Sequence, residues 1–256
     1  MSFIPKVFHQ IWIGTEDTIP VSYKVLRDHT LNLHPDWDYR LWLPEDFLPL
    51  INQDSYDLYK AAMYRADIAR YEIMAINGGV YLDWDFYIFR NIEPLIRETD
   101  NFVISEPMDL PVNSIFGLSP NHWFAWRLVR ELRSNAITER TRLMGGAKNP
   151  LHGVGARYFS KQVLECEDRL NILPRSIFTP YAYSYFKCGN WDYKTVRGGY
   201  GIHLWNSNST PTIFNDFVRR LDESQNYTEE LDAEARLLEE EAAVKKQLEL
   251  RKDEHE

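Results

Sequence analysis

The order of strand and helix patterns in the first part of the chain constrains its fold more than any other feature. Apolar runs bounded by turn residues predict strands at residues 7–13, 39–43 and 80–82. Helical patterns fill both intervals, with a helix at 22–34 and a helix-rich stretch at 46–77. The second stretch ends in Asn77-Gly78-Gly79, which is typical of a left-handed helix cap. This alternation predicts an α/β layered sheet with functional groups at the carboxyl ends of its strands.

The mixed pattern continues downstream. Strands are predicted at 102–105 and 113–118, and helices at 122–134 and 155–166. Residues 177–200 are rich in Tyr, Trp and Gly and predict a long loop, which in a compact domain is more often functional than idle. Its aromatic residues either stack on a ligand or pack in the core: Tyr181, Tyr183, Tyr185 and Trp191.

Negative charge is concentrated at the carboxyl end. The 256 residues carry a formal charge of -9, and residues 228–256 hold 11 acidic and 5 basic residues, so the tail carries -6 and residues 1–227 only -3. We expect one domain at 1–227 and a charged tail at 228–256 that is helical or partly disordered. A thin apolar stripe leaves open a coiled-coil contact through which the tail self-associates. A chain without a general basic surface is not expected to bind nucleic acid.

Neither a targeting signal nor a cysteine framework is expected from this sequence. No stretch approaches the roughly 20 apolar residues of a membrane span, and polar residues interrupt the amino-terminal apolar run, so neither a transmembrane segment nor a secretory signal is expected. Cys166 and Cys188 allow at most one disulfide and cannot form a four-ligand zinc site. A metal would therefore need oxygen or imidazole ligands. These features favour a cytoplasmic protein with free thiols.

Two acidic residues follow the strand at 80–82. Asp83 and Asp85 lie two positions apart, so on extended chain their carboxylates project from the same face and Trp84 points the other way. Paired carboxylates at a strand end suit a hard divalent cation such as Mg²⁺ or Mn²⁺. An Asp-x-Asp triplet is also common in turns, so the motif alone does not decide between these interpretations.

The helix before this motif carries charges on its inward face. One stripe holds Met63, Asp67, Arg70 and Met74. The opposite face carries Arg65 and Glu72, which we expect to face water. Buried charges are costly unless they are paired or bound to a ligand. Asp67 and Arg70 therefore form either an internal ion pair that stabilises the helix or part of a cleft that includes the Asp-x-Asp motif.

Three ordered blocks of sequence resemble a known family. They are IPKVFHQIWIG at residues 4–14, RADIARY at 65–71 and GGVYLDWD at 78–85. In this order they resemble the sugar-nucleotide-dependent glycosyltransferases of family 32, whose DXD sugar-binding region is shared with yeast initiating mannosyltransferases and, more distantly, clostridial glucosylating toxins. The match spans residues 4 to about 90, with weaker similarity to about residue 210.

The resemblance implies a role for each matched residue. Trp12, otherwise a core aromatic residue on a central strand, would stack on the nucleotide base. Asp67 and Arg70 would hold hydroxyls of the donor sugar, which resolves the problem of their burial. The implied donor contacts are Ile11, Trp12, Asp67, Arg70, Tyr81, Asp83, Asn113, Trp205 and Asn206. The implied catalytic residues are Asp67, Arg70 and Asp85.

The resemblance also implies a metal site. Asp83 and Asp85 would bind Mn²⁺ or Mg²⁺ that bridges the diphosphate. Residues 202–207 resemble the family's carboxyl-terminal His block, in which His203 is the expected third metal ligand and Trp205 or Asn206 contacts the donor. The family's Ser-Trp after this block is replaced by Asn-Ser at 208–209, a departure from the pattern.

The implied fold and activity follow from the same family. We expect a GT-A-type fold with a helical tail, and transfer of a hexose-type sugar, with retention of configuration, from a nucleotide-diphosphate donor to a hydroxyl of a glycan or other acceptor. Trp12 can stack on uracil or guanine, so UDP-sugars, which we favour, and GDP-sugars both remain candidates. No residue is required as a covalent nucleophile, and the resemblance favours front-face attack by the acceptor hydroxyl.

Two other functions compete with this one. Phosphatases of the haloacid dehalogenase type also place Asp-x-Asp after a strand. Their motif lies near the amino terminus, however, and it has Thr or Val at the position where this chain has Tyr87. The second alternative is a catalytically inactive module that binds a sugar nucleotide. The presence of the complete set Asp67, Arg70, Asp83 and Asp85 argues against it.

Overall fold

A six-stranded sheet forms the centre of the protein. The computed structural model describes residues 3–106, 110–144, 153–179 and 199–205, with only the backbone described for 134–144. The strands are β1 Val7–Ile11, β2 Asp38–Trp42, β3 Gly79–Leu82, β4 Phe86–Ile88, β5 Asn101–Glu106, β6 Leu110–Leu118, β7 Ile172–Leu173 and β8 Gly201–His203. The helices are α1 Val21–Asn32, α2 Pro44–Phe47, α3 Gln53–Leu58, α4 Ala62–Asn77, α5 Glu93–Ile96, α6 Trp123–Met144 and α7 Ala156–Leu164.

The strand order places the first three strands of the sheet side by side. The order is β2-β1-β3-β6-β5-β7, with β1 parallel to both β2 and β3. β6 is antiparallel to β3 and β5, and β7 is parallel to β5. The parallel strands β1 and β3 therefore end at the same edge, where the residues that follow them meet.

Each face of the sheet is covered by its own apolar core. On one face α4, α6 and α7 pack on the sheet through residues such as Ile68, Leu128 and Phe159, which have no exposed surface. The core of the other face contains Phe8 and Phe102. Burial of apolar side chains on both faces is the arrangement that the alternating pattern predicts for an α/β sheet.

A second sheet of two strands lies apart from the first. β4 follows the Asp83–Asp85 turn directly and pairs in antiparallel fashion with β8, so that Phe86 stands opposite His203. Leu204 extends this ladder by donating its backbone N–H to the Asp85 carbonyl at 2.8 Å. The second sheet therefore brings residue 203 beside the Asp-x-Asp motif.

The turn between α4 and β3 depends on two glycines. Gly78 has φ 63° and Gly79 has φ 91°, positive values that glycine adopts readily, but Gly78 has ψ -154° and so does not form the left-handed helical cap predicted for this sequence. A Cβ on Gly78 would lie 2.5 Å from the backbone nitrogen of Pro120. This close approach fixes the point at which β3 enters the sheet.

Most predicted elements appear in the structure, with several differences. The helix-rich stretch at 46–77 contains α2, α3 and α4, and α6 runs beyond residue 134 to Met144. The short strands β4, β7 and β8 were not predicted. The extended chain expected through Asp85 ends at Leu82, because Trp84 and Asp85 lie in a turn.

Some predictions fall on residues outside those described. The described residues belong to one compact unit, Met1–Asn208. The tail at 228–256, the domain boundary at 227, most of the loop at 177–200 and Cys188 all lie outside the described part. Cys166 is a buried free thiol. Within the described residues, no helix is long and apolar enough to cross a membrane.

Candidate active site

A cleft of about 380 Å³ opens at the edge where β1 and β3 end. Elements distant in sequence contribute to it: the residues after β1 and β3, one side of α4, the middle of β6 and the end of β8. The predicted site residues that line this cleft are Ile11, Trp12, Asp67, Arg70, Tyr81, Asp83, Asp85, Asn113, His203 and Trp205. Asn206, also predicted, lies outside the described residues.

Arg70 is the centre of a buried polar network. Its Nη2 lies 3.0 Å from Asp67 Oδ1 and its Nη1 lies 3.3 Å from Asp83 Oδ1. Nη1 also donates a 2.6 Å hydrogen bond to the Asn113 carbonyl, and the guanidinium lies over the Tyr81 ring at 4.3 Å. The pair predicted from helix spacing is therefore both an internal ion pair and part of the cleft.

Two further side chains complete this network. Asn113 Nδ2 donates to Asp67 Oδ1 at 2.8 Å and to the Tyr71 hydroxyl at 2.9 Å. Tyr81 donates its hydroxyl proton to Asp83 Oδ1 at 2.7 Å. Asp67 therefore has its orientation fixed by two partners, Arg70 and Asn113, before any ligand binds.

Burial controls the protonation of the acidic residues here. It raises the pKa of Asp67 to about 6, although Arg70 and the Asn113 amide act in the opposite direction. Burial also raises the pKa of Asp83, against the effect of Arg70. The pKa of Arg70 is raised because Asp83, Tyr81 and Asp67 outweigh the effect of burial, so the guanidinium stays charged. Shifted carboxylates around a fixed cation are typical of functional sites.

The predicted orientation of α4 is wrong at Glu72 and differs in degree at Met63. Met63 was expected to face inward; it lines the cleft with Asp67 and Arg70, but 48% of its surface is exposed. Glu72 was expected to face water, but it is 4% exposed, and its carboxylate accepts hydrogen bonds from the backbone N–H groups of Ile51 and Asn52 at 2.6 and 2.8 Å. These donors lie just before α3 and offset the cost of burying the charge. Asp67 and Arg70 do face inward, as predicted.

Asp83, Asp85 and His203 form the only candidate metal-binding group among the described residues. One ligating atom from each lies within 4.8 Å of the others. The oxygen and imidazole donors suit Mn²⁺ or Mg²⁺, so the residues present fit the cation that the resemblance implies. The distance from His203 Nε2 to Asp85 Oδ1 is 3.2 Å. The three residues predicted as metal ligands are thus brought together.

His203 is fixed by charge and by stacking. Burial alone lowers its pKa, but the carboxylates of Asp85 and Glu106 more than offset this effect and raise the pKa to about 10. The ring stacks on Phe86, with centroids 5.0 Å apart and planes 8° from parallel. The centroid of the Trp205 ring lies 4.9 Å from that of the His203 ring. Trp205 has φ 46°, a backbone conformation that is uncommon for a residue other than glycine.

Aromatic residues form the end of the cleft nearest β1. Trp12 is half-buried and donates its indole N–H to Thr18 Oγ1 at 2.8 Å. Its ring meets Tyr23 and Trp84 edge-on, at 6.2 and 6.0 Å. Trp84 lines the same cleft and donates its indole N–H to the Ile11 carbonyl at 2.7 Å. This end of the cleft can present a flat apolar surface to a ring.

Sequence reasoning missed several residues of the site. Tyr23, Glu106 and Ser114 line the cleft, and Tyr71 supports Asn113 from behind. Among the described residues, no partner is found for the buried Ser114 hydroxyl. Tyr71 could have been found, because it follows Arg70 within the matched RADIARY block. Glu106 carries no local signal, since its partner His203 is 97 positions away.

Comparison with known families agrees with this geometry. The family model described as "Glycosyltransferase sugar-binding region containing DXD motif" matches residues 20–102. Inositol phosphoceramide mannosyltransferase 3 of Schizosaccharomyces pombe is 33% identical over 135 residues, which cover 50% of this chain and 37% of that protein. Mannosyl phosphorylinositol ceramide synthase SUR1 of Saccharomyces cerevisiae is 35% identical over 136 residues, covering 51% of this chain and 35% of that protein. The chain thus matches little more than a third of these relatives.

A solved structure supports the fold. The galactosyltransferase LgtC, determined with donor and acceptor sugar analogs, superposes with a TM-score of 0.50 over 85% of this chain and 93% of that chain, at 10% identity. This likeness concerns the fold alone and confirms the predicted GT-A-type architecture. Together with the family match, it confirms the resemblance inferred from the three sequence blocks. The chain is therefore similar to glycosyltransferases whose sugar-binding region contains a DXD motif, and the family model covers its residues 20–102.

Proposed function

We propose that this protein is a metal-dependent retaining glycosyltransferase. It moves a hexose-type sugar from a nucleotide-diphosphate donor to a hydroxyl of a glycan or another acceptor. The observation that carries the proposal is the position of two groups in one cleft: the Asp83, Asp85 and His203 group, and the buried Asp67–Arg70 pair. The first group suits the diphosphate with its cation, and the second suits sugar hydroxyls.

Each part of the cleft has a role in this proposal. Trp12 holds the base by stacking, while Asp67 accepts hydrogen bonds from sugar hydroxyls and Arg70 donates to them. Asp83, Asp85 and His203 would hold Mn²⁺ or Mg²⁺, which when bound supplies positive charge that stabilises the leaving diphosphate. The network around Arg70 orients these groups before the donor arrives, so little reorganisation accompanies the reaction.

The donor and the stereochemistry belong to the proposal. UDP-sugars are the favoured donors and GDP-sugars are the second choice. Because the yeast relatives are named for mannosyl transfer, a mannosyl donor should be among the first tested. Thermal unfolding with UDP-glucose, UDP-galactose and GDP-mannose, each with and without Mn²⁺, would identify the donor, because a ligand that binds only the folded state raises the Tm. NMR of the product would assign its anomeric configuration.

The metal assignment has a direct test. Asp85→Asn and the Asp83→Asn, Asp85→Asn double variant should lose Mn²⁺-dependent donor hydrolysis and transfer. Asp100→Asn is the matched control, because Asp100 does not line the cleft and its side chain is 51% exposed. Full activity in the double variant would show that the metal assignment is wrong.

The same assays separate the alternatives. Donor binding by calorimetry, with neither hydrolysis nor transfer in the unsubstituted protein, would favour an inactive binding module. A phosphoryl group trapped on Asp83 would favour the phosphatase.

A further inference from the structure

His203 has an acidic partner at each ring nitrogen. Nε2 lies 3.2 Å from Asp85 Oδ1, and Nδ1 lies 3.1 Å from Glu106 Oε1. Asp85 belongs to the metal-binding group, whereas Glu106 does not. Glu106 is the last residue of β5, lines the same cleft and has a side chain that is 22% exposed. The role of this second carboxylate is not explained by the metal group itself.

Stacking alone leaves the orientation of the His203 ring undecided. The nearly parallel contact with Phe86 fixes the plane of the ring. A half turn about the Cβ–Cγ bond would keep that plane but exchange the positions of nitrogen and carbon atoms on both sides of the ring. The ring would then present Cε1 to Asp85 instead of Nε2, and the imidazole would no longer serve as a ligand in this group.

The hydrogen bond with Glu106 distinguishes the two orientations. Only the observed orientation places Nδ1 within reach of the Glu106 carboxylate. A carboxylate that accepts a hydrogen bond from Nδ1–H keeps the proton on that nitrogen, so a cation has to displace only the Nε2 proton to reach a lone pair. Histidines that bind metals commonly donate their second N–H to such a partner.

We propose that Glu106 is a positioning residue, which holds His203 with Nε2 directed at Asp83 and Asp85. This inference rests on the proposed metal-dependent function and adds to it a residue outside the ligand set. Glu106 acts through His203, so its substitution should weaken cation binding without removing a ligand. Its distance of 97 positions from His203 in sequence makes the contact a property of the folded protein only.

Mn²⁺ affinity of the full chain, measured with UDP present by electron paramagnetic resonance of the free ion, tests this role. Glu106→Ala should weaken Mn²⁺ binding by about 10–100-fold. Glu106→Gln should lose less, because its amide oxygen still accepts the Nδ1–H bond. Asp100→Ala is the matched control, since Asp100 lies 3.6 Å from His122 outside the cleft and its loss should leave Mn²⁺ affinity unchanged.

Proton NMR of protein labelled with ¹⁵N-histidine provides a second measurement that needs no metal. A hydrogen-bonded Nδ1–H signal of His203 should be present in the unsubstituted protein, retained in Glu106→Gln and lost in Glu106→Ala. Thermal unfolding confirms that each variant is folded before its affinity is compared.

Four results would overturn the inference. A folded Glu106→Ala variant that binds Mn²⁺ as tightly as the unsubstituted protein would show that Glu106 does not position His203. An Nδ1–H signal that is retained in Glu106→Ala would also show that Glu106 does not position His203. Equal losses in the Gln and Ala variants would make Glu106 a ligand rather than a positioning residue. If the unsubstituted protein binds no Mn²⁺, the proposed metal site itself fails, and the inference fails with it.

Discussion

Arg70 Nη1 lies 3.3 Å from Asp83 Oδ1, so the ion pair joins helix α4 to the turn that follows β3. Asp67 shares the same guanidinium at 3.0 Å, and both Arg70 and Asp67 are buried. One cation therefore compensates two carboxylates in the cleft. We therefore expect both stability and transfer to depend on this cation.

Loss of this cation should destabilise the protein. Arg70→Ala leaves Asp67 and Asp83 without their cation, and we expect it to lower the free energy of unfolding by about 3–5 kcal/mol. Arg70→Lys keeps the charge but cannot reach both carboxylates and the Asn113 carbonyl in the same way, so it should cost less stability and still lose transfer activity. Denaturant unfolding measures the stability of both variants, and a transfer assay measures their activity. In the control Arg97→Ala, the lost side chain is 68% exposed, and the change should stay within about 0.5 kcal/mol.

Nucleotide affinity should depend on Trp12. Trp12→Ala removes the proposed stacking surface and should weaken binding of UDP or GDP by about 1–3 kcal/mol, the range for a base on an aromatic ring. Calorimetric titration gives this value directly. Trp123→Ala is a suitable comparison, because Trp123 packs on Arg169 at 3.8 Å and does not line the cleft. Unchanged nucleotide affinity in Trp12→Ala would contradict the stacking role.

Asn113 should stabilise the charged form of Asp67. Asn113→Ala removes a donor from a buried carboxylate, which we expect to cost about 1–3 kcal/mol. Asn113→Asp replaces that donor with a second negative charge where the present contact is 2.8 Å, so it should cost more. Urea unfolding of the two variants ranks these effects. Equal stability of Asn113→Asp and the unsubstituted protein would show that the contact has no such role.

Stability should fall in acid because of His9. Burial lowers its pKa to about 4, and Arg40 acts in the same direction, while Nδ1 accepts the Trp42 indole N–H at 2.9 Å. The unfolded chain, with an ordinary His pKa of 6.5, binds the proton first as the pH falls. The contribution of His9 is therefore complete above pH 6.5 and is lost between pH 6.5 and about 4, a total of about 3 kcal/mol.

The His9→Asn variant isolates this effect. Asn offers Oδ1 to the Trp42 indole but does not titrate, so its unfolding free energy should fall less between pH 7 and pH 4. The raised pKa of Asp67 acts with the opposite sign, since the folded protein binds that proton first as the pH falls. A direct comparison of the variant with the unsubstituted protein cancels the Asp67 effect. Parallel pH profiles would contradict the assignment to His9.

Local sequence patterns were sufficient for the central elements of the fold. Apolar runs and helical spacing predict β1, β3 and α4, and the two glycines after α4 predict the turn into β3. The inward position of Asp67 and Arg70 was predictable for the same reason, because residues three apart share a helix face. The Asp83 and Asp85 pair was recognisable from its position directly after a strand.

Contacts between distant segments could not be predicted in this way. Glu72 has the composition of a water-facing residue, yet the backbone N–H groups of Ile51 and Asn52 make its burial favourable. The strands β4 and β8 have three residues each, which is too short to give a recognisable sequence pattern. They form strands because they pair with each other. Glu106 is distinguished only by its contact with His203. In each case the decisive partner lies outside the local window that propensity describes.

The two-stranded sheet of β4 and β8 has a consequence for where the active site ends along the chain. Residues 20–102 contain Asp67, Arg70, Asp83 and Asp85, but His203 reaches them only because β8 pairs with the strand that begins at Phe86. A shortened chain that stops before Gly201 would retain the six-stranded sheet and the Asp-x-Asp motif, yet would lack one of the three candidate metal ligands. The segment that matches the family model, residues 20–102, is therefore shorter than the smallest segment expected to hold the metal.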